Sequence, residues 1–291
     1  MTATTSDHGA PSGGKRAAWP VVAAKNLAAW LDVLFARPRR PYRTLGYKAL
    51  LRAHRRWAAV VVVLVAALML LVDPLAAGVR GFPPVVIGLF DDVTDFGRSG
   101  WLLIPLGGAI LWIAALIRPT LDRWSRAILA AFVARIGFVF VAVGLPGLVG
   151  TILKRWIGRF RPSEHGPWAF SPLSWRSEYA SLPSGHTITA FAALVAIGAV
   201  WPKARPYLWA YALVIAVSRV VVSAHFPSDV VAGAAFGAFG AILVREWFAT
   251  RRLAFIPAPD GTVRPLPAPS AARVLRALAA AVERRPGPAH P

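Results

Sequence analysis

Three short clusters of polar and charged residues in this 291-residue chain have types and spacings suited to one reaction. The first is Lys154 with Arg161-Pro162, in KRWIGRFRP. The second is Pro183-Ser184-Gly185-His186, and the third is Ser218-Arg219 followed by His225 and Asp229, in SRVVVSAHFPSD. A phosphoryl group in transfer spreads negative charge over three equatorial oxygens, so a site working without metal needs several fixed cations and backbone donors around it. Lys154, Arg161 and Arg219 supply the cations, and Arg suits bidentate contact with two oxygens, which Lys cannot give. Ser184 and the amides of Gly185 and His186 fall at the start of an apolar run. There the free amides and dipole of a helix bind an anion, and Gly185 lets backbone approach closely. His225 is suited to attack phosphorus as a neutral imidazole, with Asp229 able to hold its other ring nitrogen and stabilise the positive charge that develops. His186 is then available to protonate the leaving oxygen and to take a proton from the water that completes the cycle. Taken singly, each cluster has a plainer account: interfacial anchors for Lys154 and Arg161, an N-cap for Ser184, a snorkelling side chain for Arg219.

In order and spacing the three clusters resemble the signature of the type 2 phosphatidate phosphatase family, which also includes bacterial acid phosphatases, glucose-6-phosphatase and vanadium haloperoxidases. That signature is Lys, six residues, Arg-Pro; then Pro-Ser-Gly-His; then Ser-Arg, five residues, His, three residues, Asp, and this sequence matches it without departure. The resemblance implies that Lys154, Arg161, Ser184, Gly185, His186 and Arg219 bind phosphate, that His186 is the general acid, and that His225 is the nucleophile with Asp229 as its partner. It also implies a phosphohistidine intermediate and no metal or cofactor. It covers Lys154 to Asp229 and leaves residues 1 to 56 and 250 to 291 outside.

The elements that must position these clusters are membrane helices. Apolar content of 56%, arranged in long uncharged runs, points to an all-α, polytopic membrane bundle of six transmembrane helices around a core of the acid phosphatase and haloperoxidase kind. The absence of cysteine excludes disulfides, thiolate metal sites and cysteine-dependent phosphatases. The net charge of +20 is uneven: residues 1 to 56 hold 11 Lys/Arg against Asp7 and Asp32, just before the first apolar run. That placement fits the positive-inside rule and anionic headgroups better than a nucleic-acid groove. With no apolar run in the first 30 residues, a cleaved signal peptide is not expected.

Three parts follow: a basic cytoplasmic segment over 1–56, a six-helix phosphatase domain over 57–247, and a Pro-rich cytoplasmic tail over 248–291. Residues 1 to 18 read as disordered, and 19 to 35 as an amphipathic helix lying on the inner leaflet or packed on the bundle. The spans are expected at 57–79, with Asp73 where the helix reaches water; 101–117; 136–153, with Arg135 snorkelling at the inner end; 184–201; 207–224; and 229–244. The run GAAFGAFG in the last span reads as a close-packing face, with a homodimer contact as the alternative. Asp91, Asp92 and Asp95 read as a solvated face of a short interfacial helix, since an aspartyl-phosphate enzyme needs a carboxylate two residues after its nucleophile and Val93 stands there. The tail reads as a linker and a surface amphipathic helix. The loop from 154 to 182 is positively charged against the orientation pattern, and an anion site there gives the reason. Both termini then lie in the cytoplasm, with all three clusters on the outer face of a bacterial inner membrane.

These readings converge on an integral membrane phosphatase acting on a phosphomonoester or pyrophosphate of a lipid whose tails stay in the bilayer. Phosphatidate, phosphatidylglycerol phosphate, undecaprenyl pyrophosphate and lipid A phosphates are the candidate substrates. The alternatives are a phosphate-lipid binding or transport protein without turnover, against which His186, His225 and Asp229 argue, and a lipid phosphotransferase using the same site.

Overall fold

The structure is a computed structural model that describes residues 18–37, 47–78, 82–163, 166–258 and 262–283. The disorder expected over residues 1 to 18 falls outside these, apart from Ala18. In chain order the helices are α1 (Trp19–Phe35), α2 (Tyr47–Leu71), α3 (Asp73–Gly78), α4 (Pro84–Thr94), α5 (Gly100–Leu116), α6 (Arg123–Ile157), α7 (Gly185–Val200), α8 (Arg205–Val221), α9 (Pro227–Thr250) and α10 (Ala271–Glu283). Two short strands, β1 (Phe255–Pro257) and β2 (Val263–Pro265), pair antiparallel ahead of α10, with Ile256 opposite Arg264. The expected all-α class holds.

The bundle is built around α7, which packs against α6, α8 and α9. Its sequence is short on bulk: Ala190, Ala192, Ala193, Ala196 and Ala199 are all buried, so neighbouring backbones come close. The matching face of α9 is the glycine run. A Cβ on Gly233 would lie 2.6 Å from the Ser184 carbonyl oxygen, and one on Gly237 would lie 2.2 Å from that of Ile188. The close-packing reading of GAAFGAFG is therefore what the fold uses, and this face is occupied within the chain. Helix α2 lies at the periphery against α9, and its Val60, Val62, Val63, Leu70 and Leu71 are exposed. Such a face suits lipid.

Among the described residues, four helical runs are long and apolar enough to cross a membrane: His54–Leu71, Pro84–Leu116, Arg123–Ile157 and Pro227–Thr250. Helices α7 and α8 have 16 and 17 residues, or about 24–26 Å at 1.5 Å per residue, against about 30 Å of hydrocarbon.

Three expectations need correction. The first span does not carry Asp73 to water: α2 ends at Leu71, Asp73 opens α3, and its side chain has no exposure because it is ion-paired inside the bundle. Arg135 does not snorkel. It is buried on α6, donating to the carbonyls of Ala131 (2.6 Å), Leu266 (2.9 Å) and Pro267 (2.8 Å), so chain downstream takes the place of water. The tail after α9 is no linker. Phe255 of β1 stacks edge-on against Phe138 of α6 at 4.7 Å, and α10 buries Val274, Ala277 and Ala281 while packing on α6 and α5. At the other terminus α1 packs on α5, with the Asn26 amide donating to the carbonyls of Ala114 and Ile117, while Trp19 and Phe35 stay exposed. Of the two readings of that helix, packing on the bundle is the one the contacts show.

Gly237→Ala is expected to lower the thermal unfolding midpoint in detergent, by overpacking worth about 1–3 kcal/mol, because the clash is with backbone. Gly108→Ala, on α5 with nothing within 4 Å of the added carbon, is the matched control and should leave the midpoint unchanged or slightly raised.

Candidate active site

At one end of the bundle the chain turns sharply after α6. Gly158 caps the helix with φ +64°, its N–H donating to the Lys154 carbonyl at 3.0 Å, and a Cβ there would fall 1.8 Å from the Ser171 carbonyl oxygen. Only glycine satisfies both demands. Lys154 thus stays on the last turn of α6 while Arg159 and Arg161 follow in the loop. The loop is then fixed from several sides. Arg155 donates to the carbonyls of Trp175 and Arg176 at 2.6 and 2.8 Å, the Arg161 N–H donates to the Glu178 carbonyl, and the Ser181 N–H donates to that of Arg159.

Those bonds deliver the chain to the start of α7, where the Ser184 N–H donates to the Asp229 carbonyl at 3.0 Å and ties α7 to the first turn of α9. From the end of α8 the chain folds back so that Ala224 N–H and His225 N–H both donate to the Arg219 carbonyl. Pro227 then opens α9, whose third residue, Asp229, accepts from the Phe226 N–H at 3.0 Å. Three separate helix ends are thereby locked together.

The Asp229 carboxylate has no exposure and both oxygens are engaged. Oδ1 accepts from Arg159 Nη1 at 2.7 Å, and Oδ2 accepts from the Ser181 hydroxyl at 2.5 Å and from the Phe226 amide. His225 is buried at 3% exposure, with Nδ1 3.9 Å from Asp229 Oδ2 and 3.4 Å from Ser181 Oγ. Direct pairing of His225 with Asp229 was the sequence expectation. In the structure 3.9 Å is ion-pair range, too long for a hydrogen bond, and Ser181 sits between the two. With its proton given to Asp229, the Ser181 oxygen is free to accept from Nδ1–H, which leaves Nε2 unprotonated. Burial pushes the His225 imidazole from 6.5 down to about 4, with Arg219 and Arg161 acting the same way and Asp229 opposing them. The ring is therefore neutral at ordinary pH.

All eight residues singled out from the sequence converge here. Lys154, Arg161 and Arg219 lie close enough for their charges to interact, and His186 lies within the same reach of Arg219, His225 and Lys154. A Cβ on Gly185 would stand 3.0 Å from Lys154 Nζ, which is how closely the lysine approaches the start of α7. Ser184 occupies the N-cap position but does not cap. Its hydroxyl instead accepts from Thr187 Oγ1 at 3.0 Å, leaving the first amides of α7 to other acceptors. Arg219 is 6% exposed and donates to Thr94 Oγ1 at 2.7 Å, so α4 sets its direction. His186 packs against Gly97, where a Cβ would meet its Cδ2 at 2.9 Å. Asp91 and Asp92 are exposed, and Asp95 pairs with Arg98 at the surface, in keeping with a solvated face.

Five residues that the sequence did not single out for the site also belong to it: Asp73, Thr94, Arg159, Ser181 and Ser228. Arg159 has no exposure. Besides Asp229 it reaches Asp73 Oδ2 at 2.7 Å, Ser228 Oγ at 2.7 Å and the Pro167 carbonyl, and its guanidinium lies 4.4 Å over the Phe226 ring. Thr94 and Ser181 carry no motif; Arg159 sat within one as an unassigned position.

Comparison with known proteins gives the chain a family. The PAP2 superfamily profile matches residues 135–253. A lipid A 1-phosphatase from Rhizobium johnstonii is 37% identical over 214 residues, covering 71% of this chain and 86% of that protein. Another from Rhizobium etli is 36% identical over 215 residues, covering 71% and 91%. Among solved structures, that of Aquifex aeolicus LpxE matches with a TM-score of 0.41 at 23% identity, over 61% of this chain and 94% of that one. With a relative this similar aligned along most of its length, and with the profile spanning all three clusters, the chain belongs to the PAP2 superfamily.

Proposed function

We propose that this membrane PAP2 phosphatase removes the phosphate at position 1 of lipid A through a phosphohistidine on His225, without a metal. The substrate reading rests on the two relatives named lipid A 1-phosphatase. The mechanistic reading rests on one observation, the buried neutral His225 whose Nδ1 faces Ser181 and Asp229 within reach of the charges of Arg219 and Arg161.

The lipid phosphate is held by Lys154, Arg161, Arg219 and the amides at the start of α7, including Gly185 and His186. Nε2 of His225 bonds to phosphorus as the bond from phosphorus to the lipid oxygen breaks, and His186 gives that oxygen its proton. Positive charge appearing on the imidazole is matched by Asp229 through Ser181. A water then attacks phosphorus and passes its proton to His186. The P–N bond breaks, inorganic phosphate leaves, and His225 returns neutral.

We also infer six crossings, by α2, α5, α6, α7, α8 and α9, with both termini cytoplasmic and the site at the outer face. The buried position of α7 supports this despite its length, since a helix enclosed by α6, α8 and α9 has little need to match the hydrocarbon. A periplasmic reporter fused after Phe170 should be active; a silent one there and an active one at the C-terminus inverts the topology.

Purified protein in detergent should release phosphate fastest from lipid A when compared with phosphatidate, phosphatidylglycerol phosphate and undecaprenyl pyrophosphate, and should do so equally with and without EDTA. His225→Ala is expected to lose roughly 1,000-fold or more in kcat. Retained turnover in that variant removes the mechanism, and preference for another lipid corrects the substrate but not the class.

The acidity of His225 gives a separate test. Its folded value lies below the ordinary one, so protonation is disfavoured and the nucleophile is lost only as pH falls toward about 4. The acid limb of kcat/KM, corrected for ionisation of the substrate phosphate, should fall near pH 4. A limb centred near the ordinary histidine value of about 6.5 contradicts this assignment.

A further inference from the structure

The mechanism above uses Asp229 but leaves Asp73 unused, although Asp73 is as deeply buried and belongs to the same network. The two carboxylates come from helices far apart in sequence, α3 and α9, and share one cation. Arg159 directs Nη1 to Asp229 Oδ1 and Nη2 to Asp73 Oδ2, each at 2.7 Å, and none of the three side chains is exposed. Ser228 closes the ring. Its hydroxyl lies 2.7 Å from Arg159 Nη1 and donates to Asp73 Oδ2 at 2.5 Å, and its N–H donates to Asp73 Oδ1 at 3.2 Å.

Two carboxylates thus converge on one guanidinium with no side-chain exposure, an arrangement that is costly to bury. The group in contact on the site side is the His225–Ser181 pair at Asp229 Oδ2. Asp73 therefore does two things through Arg159. It holds the guanidinium at the angle that pins Asp229 Oδ1, which fixes Oδ2 toward Ser181. It also draws on the Arg159 charge, so that Asp229 is left with enough negative charge to stabilise the imidazolium that forms when Nε2 bonds to phosphorus.

We propose that Asp73 is a positioning residue for phosphoryl transfer, acting through Arg159 on the orientation and charge of Asp229. The proposal rests on the phosphohistidine reading of the site. It predicts an effect on the chemical step and little on the phosphate cradle of Lys154, Arg161 and Arg219.

The test is Asp73→Asn, which keeps the shape and one of the two oxygen acceptors and removes the charge. Wild type, Asp73→Asn and His225→Ala are purified in detergent and assayed with whichever lipid of the panel above wild type hydrolyses fastest, with inorganic vanadate as a competitive probe of the cradle. In Asp73→Asn, kcat should fall on the order of 10- to 100-fold, while KM and vanadate inhibition stay within about twofold of wild type. Wild-type kcat in Asp73→Asn overturns the proposal alone, as does a loss of kcat matched by equal loss of vanadate inhibition. Turnover surviving in His225→Ala strikes the phosphohistidine reading and this inference with it. Should Asp73→Asn fail to fold, the double variant Asp73→Leu with Arg159→Met decides, because removing a buried cation and its second carboxylate together is tolerated better than removing one. A folded double variant with kcat still reduced supports positioning; one with wild-type kcat assigns the trio to stability and overturns it.

Discussion

A guanidinium with no access to water must have its charge and its donors answered by protein, and Arg159 governs this end of the bundle for that reason. Its partners come from α3, from α9 and from the loop around Pro167, so three separate segments must arrive before the charge is satisfied. The same requirement places Asp229, and through it Ser181 and His225. Fold and site are in this respect one problem: the side chain that closes the bundle end also orients the carboxylate beside His225. The cations around the phosphate cradle carry a different constraint. They repel one another, and the loop bonds from Arg155 to Trp175 and Arg176 and from Arg161 to Glu178 help hold that loop in place.

Beneath this polar end the bundle depends on small residues. The alanines of α7 and the glycines of α9 let helices approach until backbone touches where side chains would stand, which in lipid replaces the hydrophobic drive that soluble helices have. The Ser184 amide reaches the Asp229 carbonyl across the same tight contact, so packing density at Gly233 and register of the catalytic turns are linked.

Much of the site was legible because phosphoryl transfer asks for residue types at ordered spacings, and Lys154 through Asp229 supply them in one stretch. What was not legible is instructive. Asp73 ends a long apolar run, a position that usually meets water, and nothing local tells that a cation from far along the chain will reach it first. Arg159 was counted with the surplus positive charge of its loop, yet its charge is internal. Ser181 has no pattern at all; its role exists only because a turn places it between an imidazole and a carboxylate. Arg135 was misread for the same reason as Asp73, since a lone charge at the edge of an apolar run has a local explanation in snorkelling that hides a distant partner. Helix positions and the glycine face were read well because periodicity and small-residue spacing are local signals.

The pairing of Arg135 bears on the order in which the molecule is made. Two of its acceptors lie 131 and 132 residues downstream, at Leu266 and Pro267, so translation must pass those residues before this part of α6 can be completed. The segment around Leu266 closes over it afterwards, so residues made late finish a helix made early.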